Sequence, residues 1–221
     1  MKALQRLTAD TRYVLIGFPA AIILFAAVVT GVAAGIGSAV AFIGLPILAA
    51  TAALARNFAD VERVMLPGVL GHPVARPQYA AVPAGAGPLR RLLNPLTSGQ
   101  AAMDLLYGII AFPFAIVSFV LVVVWWAGAV AGLTFPIYGW QIAAIPGSEI
   151  TLPWQLGLGD SDLLFVGFYT VAGVLFALTL PVVVRIAALL KASMAQIMLT
   201  HAAQPAPSSS LYGDPAWSAS R

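Results

Sequence analysis

The chain has 221 residues, of which 61% are hydrophobic and only 9% are charged, and its net charge is +3. Soluble globular domains carry about 25% charged residues, so this composition excludes an ordinary soluble domain and indicates a membrane protein. The sequence contains no cysteine, which excludes disulfides, thiolate metal sites and a thiol nucleophile.

The first uncharged segment runs from Tyr13 to Ala55. As one helix it would be about 65 Å long at roughly 1.5 Å per residue, about twice the ~30 Å hydrocarbon core of a bilayer. Glycines 31, 35 and 37 cluster near its middle, where the backbone can turn most easily. We therefore predict a hairpin of two transmembrane helices, 13–34 and 38–55. The same length argues against a removable signal peptide.

Two further apolar segments predict spans at 105–133 and 163–184. The expected fold is an all-α membrane protein with four transmembrane helices in residues 1–200. The last segment, 201–221, is rich in alanine, proline and serine and predicts a disordered cytoplasmic tail.

The eleven lysines and arginines all fall on one side of this four-span topology. They precede the first span, lie between the second and third spans, or follow the fourth, whereas 134–162 contains none. By the positive-inside rule, both termini and the central loop are expected in the cytoplasm and 134–162 outside. The positive net charge is thereby explained by membrane orientation, and no nucleic-acid partner is expected.

The two halves of the chain share a sequence pattern, which predicts an internal duplication. At one constant spacing, Tyr13, Phe18-Pro19 and Phe25 recur as Tyr107, Phe112-Pro113 and Phe119, and at another Leu45-Pro46 and Arg56 recur as Leu180-Pro181 and Lys191. Both halves are expected to enter the membrane from the cytoplasm. The predicted architecture is therefore two tandem hairpins in a parallel repeat.

The predicted outer loop, 134–162, combines aromatic rings with carboxylates. The candidate ligand or interface residues are Phe135, Tyr138, Trp140, Glu149, Trp154, Asp160 and Asp162. The rings suit anchoring at the head-group level, and the whole set also suits a shallow cleft for an amphipathic or cationic ligand. Anchoring is the interpretation that we favour.

Charged residues continue the second and fourth spans into the cytoplasm, where a shift of the hairpins would be reported to a partner. The candidate signal-output residues are Arg56, Glu62, Arg63, Arg185 and Lys191.

Catalysis and transport find little support in the sequence. The two histidines, His72 and His201, have no metal-ligand partner at helical spacing, and no nucleotide-binding loop or nucleophile motif is present. Ion pathways place ionisable groups inside the membrane, and the predicted spans contain none. We expect no enzyme activity, no cofactor and no metal.

Several motifs are similar to those of a sensor domain family found mainly in actinobacterial and archaeal membrane proteins. They are Thr11-Arg-Tyr-Val-Leu-Ile-Gly-Phe-Pro19, Phe42-Ile-Gly-Leu-Pro-Ile47, Glu62-Arg63, Asp104-Leu-Leu-Tyr107 and Phe112-Pro113. In that family the domain often precedes a histidine-kinase module, whereas here only the predicted tail of about twenty residues follows the sensor-like domain, 1–200. The resemblance implies a sensor domain without its own kinase.

The expected function is that of a stand-alone multi-pass sensor of the plasma membrane that passes a stimulus to a protein partner. That partner would be a histidine kinase, a membrane complex or a second copy of the chain. Two alternatives stay open: an accessory or structural subunit of a transport complex, and a small-solute permease formed by oligomerisation.

Overall fold

The computed structural model describes residues 3–39, 43–75, 77, 79, 85, 87, 90, 93–96, 98–145, 152–157 and 161–200. Within them the chain forms five α-helices: α1 (Ala3–Gly37), α2 (Gly44–Leu70), α3 (Gly99–Ala143), the short α4 (Leu152–Gln155) and α5 (Asp162–Thr200). A 3-10 turn, Asn94–Leu96, lies between α2 and α3. The expected all-α class is confirmed for these residues, and the predicted tail at 201–221 lies outside them.

Local sequence signals set two of the helix ends. α2 stops at Leu70 because Gly71 adopts a left-handed conformation with φ of 80°, and its amide donates to the Pro67 carbonyl at 2.9 Å. α3 starts after Ser98, whose hydroxyl accepts a hydrogen bond from the Ala101 amide at 3.3 Å.

The prediction of four transmembrane helices is wrong, because only α1, α3 and α5 are long and apolar enough to span a membrane among the described residues. α2 begins at Gly44, and its uncharged part ends before Arg56. That part is about 18 Å long at roughly 1.5 Å per residue. It is too short for the ~30 Å core of a bilayer, and charged residues follow it immediately.

The predicted direction of the repeat is also wrong, because α1 and α3 are antiparallel. Phe18 stacks on Phe119 with 4.1 Å between ring centroids, and Phe25 stacks on Phe112 at 4.4 Å. Residue numbers therefore rise along α1 as they fall along α3. Two hairpins that enter from the same side would place these helices parallel. The duplication itself stays a prediction.

α3 and α5 are antiparallel as well. The Ser118 hydroxyl donates to the Ala187 carbonyl at 3.0 Å, while the Phe135 and Phe165 rings lie 5.4 Å apart further along. The directions of α1, α3 and α5 thus alternate, as three successive crossings require. With these three helices as the candidate spans, the start of α1 and the end of α5 lie on opposite sides, so the expectation of both on the cytoplasmic side, which required four spans, is corrected too.

Two of the glycines near the middle of the first uncharged segment, Gly31 and Gly35, pack helices together, and the turn begins only after the third, Gly37. α1 continues through them to Gly37. A Cβ on Gly31 would lie 2.1 Å from Thr51 Oγ1, and one on Gly35 would lie 2.5 Å from Leu48 Cγ. Glycine at these positions lets α2 approach α1 closely.

The expected outer loop is partly helical. α3 continues ten residues beyond Leu133, and Asp162 is the first residue of α5. The apolar and small residues after Leu133 extend the helix, since Pro136 is its only proline in this part and helices in an apolar environment tolerate one.

The core is built largely from small side chains. The contributing alanines, all at most 1% exposed, are Ala49, Ala52, Ala55 and Ala59 of α2 and Ala187, Ala188, Ala192 and Ala195 of α5. Small residues allow helix backbones to approach closely. As a result, the polar side chains of α2 are held close to its neighbours.

Candidate functional site: a buried ion-pair network

The charged half of α2 lies inside the bundle. Glu62 is 9% exposed and Arg63 is 4% exposed, although both come from a helix with a polar sequence. A buried charge is costly unless it is paired and hydrogen-bonded. Each of these side chains has such partners, and those partners come from the neighbouring helices.

Glu62 forms the first group with Lys191, Tyr13 and Tyr107. We call this group the Glu62 cluster. Lys191 Nζ of α5 lies 2.5 Å from Glu62 Oε1, and the Tyr13 hydroxyl of α1 donates to the same oxygen. The Lys191 ammonium also lies 3.9 Å from the centre of the Tyr13 ring. Tyr107 of α3 borders the same space. One carboxylate therefore joins α2 to α1 and α5.

Arg63 forms the second group, which we call the Arg63 cluster. Its guanidinium lies 2.8 Å from Asp104 Oδ1 of α3 and 2.6 Å from Asp60 Oδ1 of α2, and its Nε donates to the Leu199 carbonyl of α5 at 3.2 Å. Asp104 is fully buried and also accepts from Gln100 Nε2 at 2.9 Å. The planar, multiply donating guanidinium suits this arrangement better than an ammonium would.

Tyr79, in the connection between α2 and α3, completes the Arg63 cluster. Its hydroxyl accepts from Arg63 Nη1 at 2.8 Å and donates to Asp104 Oδ2 at 2.7 Å. The Arg56 guanidinium lies 3.5 Å from the centre of its ring, a cation–π contact. Burial raises the pKa of Tyr79 to about 12, and the hydrogen bond to Asp104 acts in the same direction.

A third group, an ion pair between Arg185 and Asp10, lies near the C-terminal end of α2. Arg185 Nη1 of α5 is 3.0 Å from Asp10 Oδ1 of α1 and donates to the Val69 carbonyl of α2 at 2.8 Å. Asp10 is 2% exposed. This pair joins α1, α2 and α5, so α2 is bonded to every long helix of the bundle.

The network is suited to holding α2 in place rather than to binding a metal. No group of three metal-ligating His, Cys, Asp or Glu side chains occurs in the described ranges. The carboxylates of Asp10, Glu62 and Asp104 are each engaged by a basic side chain instead.

A family model described as Putative sensor matches residues 13–199. The match covers most of the chain and contains α2 and α3 in full and α5 up to Leu199. The chain belongs to the Putative sensor family. No curated protein and no solved structure matches it.

The part of the chain that matches the Putative sensor family contains all five predicted signal-output residues. Glu62 pairs with Lys191, Arg63 and Arg56 both contact Tyr79, and Arg185 pairs with Asp10. The structure thus places them in three groups of contacts around α2, whereas the sequence suggested two separate helix ends.

The predicted outer-loop residues are not brought together in this way. Phe135 is buried in an aromatic cluster with Tyr138, Phe165 and Tyr169, which joins α3 to α5. Trp140 and Trp154 are about half exposed, on α3 and α4. Asp162 starts α5, while Glu149 and Asp160 lie outside the described residues.

Sequence reasoning missed Asp10, Asp104 and Tyr79 as members of the network. A signal for two of them was present: Asp10 and Asp104 each stand three residues before a tyrosine that begins an apolar segment, Tyr13 and Tyr107. No comparable signal marks Tyr79, because it lies in a segment without a regular pattern of apolar and polar residues.

Proposed function

We propose that this chain is a multi-pass sensor of the plasma membrane, without catalysis of its own, that passes a stimulus to a protein partner through α2. Membership of the Putative sensor family and three helices suited to crossing a membrane support the sensor role and the membrane location. The partner and the relay go beyond these findings. The partner class that we propose is a histidine kinase or a membrane complex.

The observation that carries the proposal is the way in which α2 is held. Its polar half is fixed by Glu62–Lys191 and Arg63–Asp104, so that a displacement of α5 or α3 changes an ion pair on α2. Ion pairs and hydrogen bonds have a definite geometry, and a small shift exchanges one set for another. α2 is therefore well placed to respond to movement of any of the other long helices.

The energy required for such a response is modest. A stimulus shifts the equilibrium between two arrangements only by its differential affinity for them, and the coupling is typically about 1–3 kcal/mol, or about 5–150-fold.

The test is affinity purification from native membranes of the wild-type chain and of the double variant E62Q/K191M. The double variant removes both charges together, which avoids leaving one of them buried and unpaired. D162N, at the exposed start of α5, is the matched charge-removing control. All three are compared at equal membrane expression.

We expect a partner to co-purify equally with wild type and D162N, and its amount to change at least fivefold with E62Q/K191M. An unchanged amount with E62Q/K191M, or no partner with any of the three, would contradict the relay through α2. The identity of the partner also separates a kinase-linked sensor from an accessory subunit of a transport complex.

A further inference from the structure

α1 and α2 leave a groove between them on the surface of the bundle. Its volume is about 340 Å³, and its walls include Ile16 and Met65. The same two side chains border a deeper cavity of about 120 Å³ that reaches Glu62 and Lys191. The groove and the cavity therefore adjoin each other at these two side chains, and the cavity reaches the Glu62 cluster.

Arg12 is the one charged residue among those that line the groove. Its side chain lines the groove and is exposed, and among the described residues it forms no ion pair or hydrogen bond. It is also the last charged residue of α1, since Tyr13 to Gly37 contains none. A basic residue at the start of an uncharged membrane segment is expected at the level of the lipid head groups.

We propose that the groove and the adjoining cavity bind one acyl chain of an anionic phospholipid from the surrounding bilayer, with the lipid phosphate at Arg12. The proposal rests on the proposed function, for which it names the class of stimulus. All the groove residues other than Arg12 and Tyr13 are aliphatic, methionine or glycine, which suits a hydrocarbon chain. An unpaired guanidinium suits a phosphate.

The positions of the groove and the cavity link lipid binding to α2. A chain in the groove lies against Met65, whose flexible side chain adapts to an apolar ligand. Met65 is three residues from Glu62, and the inner cavity is bordered by Glu62 and Lys191 themselves. Occupation of the cavity therefore acts next to the ion pair that holds α2 to α5.

Two substitutions separate the charge from the groove. R12Q removes the cation at an exposed site. G68L fills the groove, and a Cβ at Gly68 meets no atom within 4 Å, so the helix is expected to tolerate the change. The matched controls are R6Q, an exposed arginine of the same helix outside the groove, and G167L on α5, where a Cβ is equally free of contacts.

The experiment titrates the purified full chain in mild detergent with phosphatidylglycerol and counts bound lipid by native mass spectrometry. Phosphatidylcholine and palmitate are the comparison ligands. We expect one phosphatidylglycerol to bind per chain in preference to phosphatidylcholine. R12Q should weaken the binding of phosphatidylglycerol about fivefold, which is the effect of one basic residue near an anionic head group. G68L should weaken it at least tenfold, and R6Q and G167L should not change it.

The phospholipid site is overturned if phosphatidylcholine binds as well as phosphatidylglycerol, or if G68L binds lipid like wild type. It is also overturned if palmitate displaces phosphatidylglycerol one for one, because the ligand is then a free fatty acid. None of these measurements involves a protein partner. Failure of the lipid site is therefore distinguishable from failure of the relay through α2.

Discussion

Lys191 and Glu62 form a buried ion pair between α5 and α2, with 2.5 Å between Nζ and Oε1. The Lys191 side chain lies against Gly17 of α1, where a Cβ would be 2.8 Å from Nζ. The pair is thus enclosed by three helices.

Removal of one member of this pair should destabilise the bundle more than removal of both. E62Q or K191M leaves one buried charge unpaired, and we expect a loss of about 3–5 kcal/mol in the free energy of unfolding. E62Q/K191M should lose clearly less than the sum of the two single variants. Denaturation of all four proteins in mixed detergent micelles measures the difference. Additive losses would show that the two charges do not interact.

Arg63 should not be replaceable by lysine. R63K keeps the charge but cannot contact Asp104, Asp60 and the Leu199 carbonyl together, and we expect a loss of about 2 kcal/mol in stability. R56K is the control, because Arg56 contributes a cation–π contact worth about 0.5–1 kcal/mol. The midpoint of thermal unfolding of each variant provides the comparison. An equal effect of R63K and R56K would contradict the role of the guanidinium.

The sequence predicted the helical class and the residues of the network better than their arrangement. Arg56 to Arg63 could be recognised as a polar continuation of an apolar helix. Their burial could not, because it depends on Lys191 and Asp104, which are distant in sequence. Buried and solvated charges look alike in a sequence until their partners are known.

The glycines and aromatic residues were ambiguous for a similar reason. Gly31 and Gly35 suit a turn as well as close packing, and only the position of Thr51 decides between the two. Phe135 falls in the predicted outer loop because 134–162 contains no basic residue and carries carboxylates. Its contact with Phe165 shows that the helix continues beyond the expected end of the span.

The close contact of α3 and α5 predicts a strong effect at Gly173. A Cβ there would lie 2.4 Å from the Gly132 backbone, so G173A must separate the two helices. Such overpacking costs about 1–3 kcal/mol. G167A, at a position on the same helix with free space, should be neutral or stabilise by up to about 1 kcal/mol. Thermal unfolding in detergent tests both, and equal midpoints would contradict the contact.

Tyr79 should make stability depend on alkaline pH. Its pKa is raised from 10.0 to about 12 in the folded chain, so folding favours the neutral phenol. This contribution is present in full below pH 10 and is lost as the pH rises from 10 to about 12. Unfolding midpoints of wild type and Y79F should therefore differ most below pH 10 and converge towards pH 12. A constant difference across that range would exclude the titration of Tyr79 as its cause.

The number of membrane crossings is tested most directly by labelling single cysteines in this naturally cysteine-free chain with an impermeant thiol reagent. Leu4 and Leu156 are exposed, at the start of α1 and between α3 and α5, and Gly37 ends α1. With α1, α3 and α5 as the crossings, L4C and L156C should label from the same face of the membrane and G37C from the opposite face. Labelling of L4C and L156C from opposite faces would contradict three crossings, because that result requires α2 to cross as well.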